Sequence, residues 1–224
     1  MSVRENLLRV RERMEDAARR AGRPEGSVTL NAVSKAATLD AIREAVDAGA
    51  RILGENRIQV AGPKIVEASD LVGRVAWHMI GHLQRNKARR AVELFERIEG
   101  VDRLSLARRL SDLGEERGAP VRILAEINVS GEESKGGFPR AEATERVAEL
   151  RELPGVRLEG LMTMAPYTED DAAIRDCFRG LREIRDAIPA AEGFTELSMG
   201  MTNDFEIAVE EGATMVRVGS AIFG

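Results

Sequence analysis

The chain has 224 residues and 43% of them are hydrophobic, which is ample for one large buried core or two small ones. Its net charge of −5 argues against nucleic acid as the main partner. The charged amino-terminal segment and the lack of a run of ~18 apolar residues argue against a secretion signal and a membrane span. Cys177 is the only cysteine, so no internal disulfide can form, and we expect a protein of the reducing cytoplasm.

The first segment, from about residue 3 to residue 21, predicts an amphipathic helix. Apolar residues recur at three- to four-residue spacing among arginines and glutamates, at Leu7, Val10, Met14 and Ala18. Gly22 and Pro24 follow, and both residue types are typical of a helix end.

After this helix, short apolar runs alternate with charged segments of helical periodicity. The runs interpreted as strands lie at about 28 to 34, 51 to 54, 75 to 80, 97 to 101, 121 to 128, 156 to 162, 195 to 199 and 214 to 218. The clearest helical segments are Leu39 to Ala48, Leu104 to Arg117, Arg140 to Leu150 and Ala172 to Ala187. Eight strands separated by helices, without a Ser/Pro-rich linker, predict a single α/β domain over residues 1–224, folded as a (β/α)8 TIM barrel.

Only a few residues follow the eighth predicted strand, too few for a full helix. We therefore expect the amino-terminal helix to fill that position and complete the outer helical ring. The alternative is a doubly wound open sheet, but no Gly-rich turn follows the first strand to hold a dinucleotide.

Lys35 ends a largely apolar stretch that begins at Val28, in a chain with only four lysines. Burial can make a lysine amine nucleophilic, so a lysine at the end of a buried strand is a Schiff-base candidate. A lysine that extends from a strand end into water also explains the stretch. Because barrel proteins collect their active residues at the carboxyl ends of strands, the predicted fold favours the Schiff-base interpretation.

The last two predicted strands indicate a phosphate site. Gly219 and Ser220 offer backbone N–H groups without bulky side chains, and Ser198 adds a hydroxyl. Arg217 is a charged residue within an apolar strand, and a guanidinium there needs a partner inside the barrel. That partner is either a bound group or an ion pair with Glu55 or Asp204.

A Schiff-base lysine, a phosphate cradle and a fixed arginine together suit pyridoxal 5'-phosphate. If Arg217 faces the pyridine nitrogen, it holds that nitrogen unprotonated and weakens the ring as an electron sink. Asn56 can hydrogen-bond the ring hydroxyl or cap the following helix. The two histidines, His78 and His82, fall on a predicted strand and just after it, so we expect no shared metal site.

Several longer motifs are distinctive. They include Ala32-Val-Ser-Lys35, Gly54-Glu-Asn-Arg57, Ile80-Gly-His-Leu-Gln-Arg-Asn-Lys87, Gly160-Leu-Met-Thr-Met164, Leu197-Ser-Met-Gly-Met-Thr-Asn-Asp-Phe205 and Val216-Arg-Val-Gly-Ser-Ala-Ile-Phe-Gly224. Across almost the whole chain these motifs resemble the pyridoxal phosphate homeostasis protein family. The resemblance implies a barrel like that of alanine racemase, with Lys35 carrying the cofactor as an internal aldimine. It also implies phosphate contacts from Ser198, Gly219 and Ser220, with Arg217 against the pyridine nitrogen.

This sequence departs from the family pattern in small ways: Thr202-Asn203 stands where the family often has Ser-Ala, and the usual short tail does not follow Gly224. Family members bind pyridoxal 5'-phosphate without a well-established catalytic activity and are associated with vitamin B6 balance. The resemblance thus implies a cofactor-holding protein, not an enzyme. Our leading interpretation is that it holds the cofactor on Lys35 and passes it to apoenzymes, while the composition leads us to expect no nucleic acid or membrane partner.

Two enzymatic alternatives remain open at the level of sequence. An amino-acid racemase needs an acid or base on each face of the substrate imine, and related racemases bring a tyrosine from an extra domain. The single tyrosine here, Tyr167, matches no racemase motif. A cofactor-free Schiff-base aldolase would use Lys35 directly on a carbonyl substrate and leave Arg217 only a substrate phosphate to bind.

Overall fold

The computed structural model describes residues 1–132, 135–189 and 193–224. Eight parallel strands form its centre. They are β1 (Thr29–Val33), β2 (Ile52–Glu55), β3 (Ala76–Met79), β4 (Arg97–Val101), β5 (Val121–Asn128), β6 (Val156–Met162), β7 (Glu196–Ser198) and β8 (Met215–Val218). Each pairs with its neighbour in the chain and β8 pairs with β1, so the sheet closes into a barrel. An additional two-residue strand, Phe138–Pro139, pairs with β5.

Helices surround the barrel. They are α1 (Val3–Arg20), α2 (Leu39–Asp47), α3 (Ile58–Glu67), α4 (Ala88–Leu94), α5 (Leu104–Glu116), α6 (Ala143–Arg151), α7 (Asp171–Ala187), α8 (Phe205–Glu210) and α9 (Ser220–Phe223). Short 3-10 turns lie at Ser69–Leu71, Arg85–Lys87 and Arg140–Glu142. The predicted (β/α)8 barrel is confirmed. None of the helices in the described ranges is both long and apolar enough to cross a membrane.

The amino-terminal helix takes the predicted position in the outer ring. α1 packs against α2, α8 and the four-residue α9 that follows the last strand. It begins with a capping box, in which Ser2 Oγ accepts from the Glu5 N–H (3.2 Å) and the Glu5 carboxylate accepts from the Ser2 N–H (2.9 Å). Its buried face carries Leu7, Val10 and Met14, and burying each such side chain stabilises the fold by ~1.5–3 kcal/mol.

The barrel interior is polar near the strand ends, whereas such interiors are usually packed with branched apolar side chains. Asn31, His78, Glu99, Ser198 and Arg217 come from five different strands, and none is more than 4% exposed. They reach one another across the barrel through hydrogen bonds. Because buried polar groups are costly unless they are bonded, this network requires a specific arrangement of the strands.

Candidate functional site

Lys35 lies at the barrel mouth, in the turn between β1 and α2. The strand ends at Val33, so the expectation that Lys35 itself ends a buried strand needs correction. Its side chain is exposed, and its amine makes no hydrogen bond or ion pair with the described part of the chain. The structure therefore presents an accessible amine at the mouth instead of one desolvated inside the barrel.

A buried ion pair supports the residue before Lys35. The Lys64 ammonium lies 2.7 Å from Glu55 Oε1 and donates to the Ser34 carbonyl oxygen at 2.7 Å. The Ser34 hydroxyl donates to the same Glu55 oxygen at 2.6 Å, and Glu55 is 0% exposed. Lys64 was not among the residues predicted to form the site. Its contacts fix the backbone at the start of the Lys35 turn.

The other lysine amines differ from that of Lys35. Lys64 is bound as described, and Lys135 donates to Glu132 and to the Ala165 carbonyl, each at 2.8 Å. Lys87 follows β3, two strands away from β1. Lys35 thus combines a free amine with a position beside β8, the strand that carries the predicted phosphate site.

The turn after β8 lies directly beside the end of β1. Ala32 is paired with Val218, and a Cβ on Gly219 would lie 3.1 Å from the Val33 carbonyl oxygen, a contact tight enough to favour glycine. The Gly219 N–H donates to Thr202 Oγ1 at 3.4 Å, and the Ser220 hydroxyl donates to the same oxygen at 3.2 Å. Two small donors, the Gly219 N–H and the Ser220 hydroxyl, therefore converge on the Thr202 hydroxyl near the surface, close to the Lys35 turn.

Thr202 is the member of this group that sequence reasoning missed, since it was noted only as a departure from the family pattern. Ser198 had been expected in its place, and the structure puts Ser198 elsewhere. Its side chain is 0% exposed and points into the barrel, where its hydroxyl donates to Glu99 Oε2 (2.6 Å) and accepts from Arg217 Nη1 (2.7 Å). With both bonds made inside the barrel, the Ser198 hydroxyl is not placed to contact a phosphate at the surface.

Arg217 lies across the floor of the mouth. Besides its bond to Ser198, its Nη2 donates to the Thr163 carbonyl oxygen at 2.9 Å. Neither expected ion-pair partner contacts it, because Glu55 binds Lys64 and Asp204 accepts from the Met201 N–H. Burial lowers the pKa of the Arg217 guanidinium, against the opposing effect of nearby carboxylates. The guanidinium is held rigidly in place.

Glu99 is the anion at the centre of the interior network. It accepts from Ser198, lies 2.7 Å from His78 Nδ1 and accepts from Asn31 at 3.4 Å. Burial raises its pKa, but the hydrogen bond and charge of His78, together with Arg217 and Ser198, outweigh that effect and lower the pKa to about 2. Glu99 had been overlooked, although a charged residue within the apolar run of β4 is the same signal that singled out Arg217.

Two further carboxyls lie near the mouth. Burial, with help from Asp102, raises the pKa of Glu126, and burial also raises the pKa of Asp204. Gly100 and Gly136 lie close to Glu126. A Cβ on Gly100 would lie 3.4 Å from one carboxylate oxygen of Glu126, and a Cβ on Gly136 would lie 3.6 Å from one. Protonation of these carboxyls is therefore favoured relative to free glutamate and aspartate.

Asn56 lies at the mouth immediately after β2. It does not cap α3, because the N-cap position is Arg57 and has no side-chain cap bond. The two histidines face different partners: His78 binds Glu99 inside the barrel, whereas His82 Nδ1 lies 2.8 Å from Asp102 at the rim. They do not point at a common metal position.

These groups fit pyridoxal 5'-phosphate on structural grounds. The small donors after β8 form a cradle for a phosphate, and Lys35 offers a free amine one strand away. Arg217 adds a buried cation that two hydrogen bonds hold within the barrel.

Comparison with known proteins agrees with this interpretation. The sequence matches the family described as the alanine racemase N-terminal domain over residues 6–224. The pyridoxal phosphate homeostasis protein of Aquifex aeolicus is 40% identical over 226 residues, covering 100% of this chain and 98% of that protein. An unknown protein from Bifidobacterium adolescentis is structurally similar, with a TM-score of 0.94 and 39% identity over 99% of this chain and 94% of that one. PipY of Synechococcus elongatus PCC7942, solved with PLP bound, has a TM-score of 0.81 and 39% identity over 96% of this chain and 100% of that one.

The chain therefore belongs to the alanine racemase N-terminal domain family and, within it, to the pyridoxal phosphate homeostasis proteins. The resemblance found in the motifs is confirmed. The names of these relatives describe a homeostatic role and not a reaction, in agreement with the expectation of a protein that is not an enzyme.

Proposed function

We propose that this protein holds pyridoxal 5'-phosphate reversibly and takes part in vitamin B6 homeostasis in the cytoplasm, with residues 1–224 acting as one cofactor-binding domain. The observation that carries the proposal is the free amine of Lys35 beside the donor cradle after β8. The PLP-bound PipY structure and the names of the relatives support it.

Each residue of the site has a defined task in this proposal. Lys35 attaches the cofactor covalently through its free amine. Gly219 and Ser220 bind the phosphate, and Thr202 replaces Ser198 as the neighbouring hydroxyl. Arg217, fixed by Ser198 and the Thr163 carbonyl, faces the pyridine nitrogen.

Asn56 takes the role of hydrogen-bond partner to the ring hydroxyl, because its place in the fold leaves it at the mouth and not in a helix cap. The cofactor itself supplies an aldehyde that reacts with amines and a ring that withdraws electrons. The charge of Arg217 opposes protonation of the ring nitrogen, which favours storage over catalysis.

In the described residues, no tyrosine is packed opposite Lys35 in the manner of a racemase. Tyr167 is 98% exposed and lies in the loop after β6, so it does not face the cradle.

Transfer of the cofactor to apoenzymes follows as a further part of the proposal. Mixing the loaded protein with a pyridoxal phosphate-dependent apoenzyme and following the gain of its activity tests that transfer.

The attachment to Lys35 is tested by absorbance and by mapping. The purified protein is incubated with pyridoxal 5'-phosphate, reduced with borohydride, digested and analysed by mass spectrometry. We expect a yellow protein that borohydride bleaches, with the reduced adduct on Lys35. Lys35→Ala should lose the colour, whereas Lys135→Arg, which keeps a cation beside Glu132, should retain it. An adduct found only on Lys64, Lys87 or Lys135 would refute the assignment.

A further inference from the structure

A cavity of about 240 Å³ opens beside the barrel mouth, between the loops that follow β2 and β3. Arg57 and Gln59 line it from the first loop, and His82, Gln84 and Lys87 line it from the second. It is smaller than the ~300–1,000 Å³ of pockets for drug-sized ligands, so a small molecule fits it best. Both loops carry distinctive motifs, of which the proposed cofactor site uses only Asn56.

Two cations in the wall of this cavity lack a counter-ion. Neither the Arg57 guanidinium nor the Lys87 ammonium forms a hydrogen bond or an ion pair with residues 1–132, 135–189 or 193–224. On the next helix, by contrast, Arg89 pairs with Glu116 and Arg90 with Glu93. Arg57 is exposed and Lys87 is half-buried, so both charges are accessible to an anion that enters the cavity.

The other groups in the wall also favour an anion. No aspartate or glutamate lines the cavity in the described part of the chain. His82 is held through Nδ1 by Asp102 at 2.8 Å, which leaves its other ring nitrogen available. The ten-residue helix α3 begins at Ile58 in the cavity wall, so its positive dipole end adds to the field of the cations.

The geometry points to a carboxylate site: we propose that this cavity binds the carboxylate of a small organic acid, at a place separate from the phosphate cradle. The planar guanidinium of Arg57 matches the two oxygens of a carboxylate, and Lys87 adds a second positive charge. The amides of Gln59 and Gln84 supply hydrogen bonds to the rest of the molecule.

The order of the strands places this site on the far side of Lys35 from the cradle. The strands run β8, β1, β2, β3 around the barrel, with the cradle after β8, Lys35 after β1 and the cavity between the ends of β2 and β3. Val33 is paired with Gly54, so the Lys35 turn and Asn56 lie at the same level. An acid bound in the cavity therefore lies against the loop next to the Lys35 turn, and it does not occupy the phosphate cradle.

Calorimetric titration of the 224-residue chain with malonate tests the proposal. We expect Arg57→Gln and Lys87→Gln each to weaken malonate binding on the order of 10-fold, because each removes a charged hydrogen-bond donor. Arg57→Lys should weaken it less, since the charge remains but the planar fork is lost. Arg85→Gln is the matched control: it removes an exposed arginine of the same loop that does not line the cavity, and affinity should be unchanged.

Three results would overturn the proposal. The first is a parent protein that binds no malonate. The second is an equal loss of affinity in the control and in the cavity variants, which would indicate a diffuse charge effect. The third is inorganic phosphate binding more tightly than malonate with the same dependence on Arg57 and Lys87, which would assign the cavity to phosphate instead of carboxylate.

Discussion

The buried pair of Glu55 and Lys64 gives a quantitative prediction. Glu55 is 0% exposed, and its Oε2 has no hydrogen-bond partner in the described residues. The buried carboxylate is therefore stabilised through the contacts of Oε1. Two groups meet that oxygen, the Lys64 ammonium at 2.7 Å and the Ser34 hydroxyl at 2.6 Å. Lys64→Met removes the ammonium and leaves the carboxylate buried with a single neutral donor.

The expected loss follows from the burial of the two partners. Removing one partner of a fully buried ion pair costs ~3–5 kcal/mol. The Lys64 side chain is 12% exposed, so water partly replaces the ammonium and the lower end, about 3 kcal/mol, applies. A loss of 1 kcal/mol lowers the Tm of a domain of this size by roughly 2–4 °C, so Lys64→Met should lower the Tm by about 6–12 °C.

Denaturant unfolding and thermal melts of four variants test this reasoning. The double variant Glu55→Gln/Lys64→Met lacks the buried charge and should recover most of the stability lost in Lys64→Met. Arg43→Met, which breaks the exposed pair with Asp70, should leave the stability almost unchanged because water solvates both charges. Glu55→Gln alone completes the double-mutant cycle. A loss of stability in Lys64→Met as small as that in Arg43→Met would refute the buried-charge argument.

The remaining predictions concern the cofactor site and the interior network. Arg217→Glu should weaken pyridoxal 5'-phosphate binding, or change the absorption spectrum of the bound cofactor, more than Arg217→Lys does, because a carboxylate favours a protonated ring nitrogen. Identical titrations and spectra for both variants and the parent would contradict this. The folded-state pKa of Glu99 is about 2, below its ordinary 4.5, so its contribution to stability is present above pH ~4.5 and is lost as the pH falls toward 2. The Glu99→Gln variant should therefore show a shallower fall in unfolding free energy over that range, by on the order of 3 kcal/mol, and parallel curves would refute the assignment. Glu126→Gln should be neutral or stabilising at pH 7, since the raised pKa of Glu126 means that its ionised form is disfavoured in the fold; clear destabilisation in melts would show otherwise. Amino-acid racemisation by the loaded protein should be negligible, as followed by chiral analysis with L-alanine; sustained turnover abolished by Lys35→Ala would place an enzymatic role first.

The sequence by itself predicted the barrel well, because hydrophobic periodicity is a local property. The strands at Arg97–Val101, Val121–Asn128 and Val156–Met162 have the predicted bounds. α3 was not among the segments assigned as helices, since Gly62 and Pro63 within it interrupt the helical pattern. The candidate cofactor residues Lys35, Gly219 and Ser220 were also chosen from sequence, because the carboxyl ends of parallel strands meet at one face of a barrel.

Only the tertiary structure decided how the polar side chains pair. Ser198 ends β7 and Thr202 follows it closely, yet the first side chain turns into the barrel toward Glu99 and the second joins the cradle. Glu99 and Ser198 lie 99 positions apart in the chain, and Lys64 reaches Ser34 across 30. Such contacts depend on the register of the strands and on the closure of the barrel. A register shift of one residue would turn each side chain of a strand to the opposite face of the sheet. No single segment of the sequence contains that information.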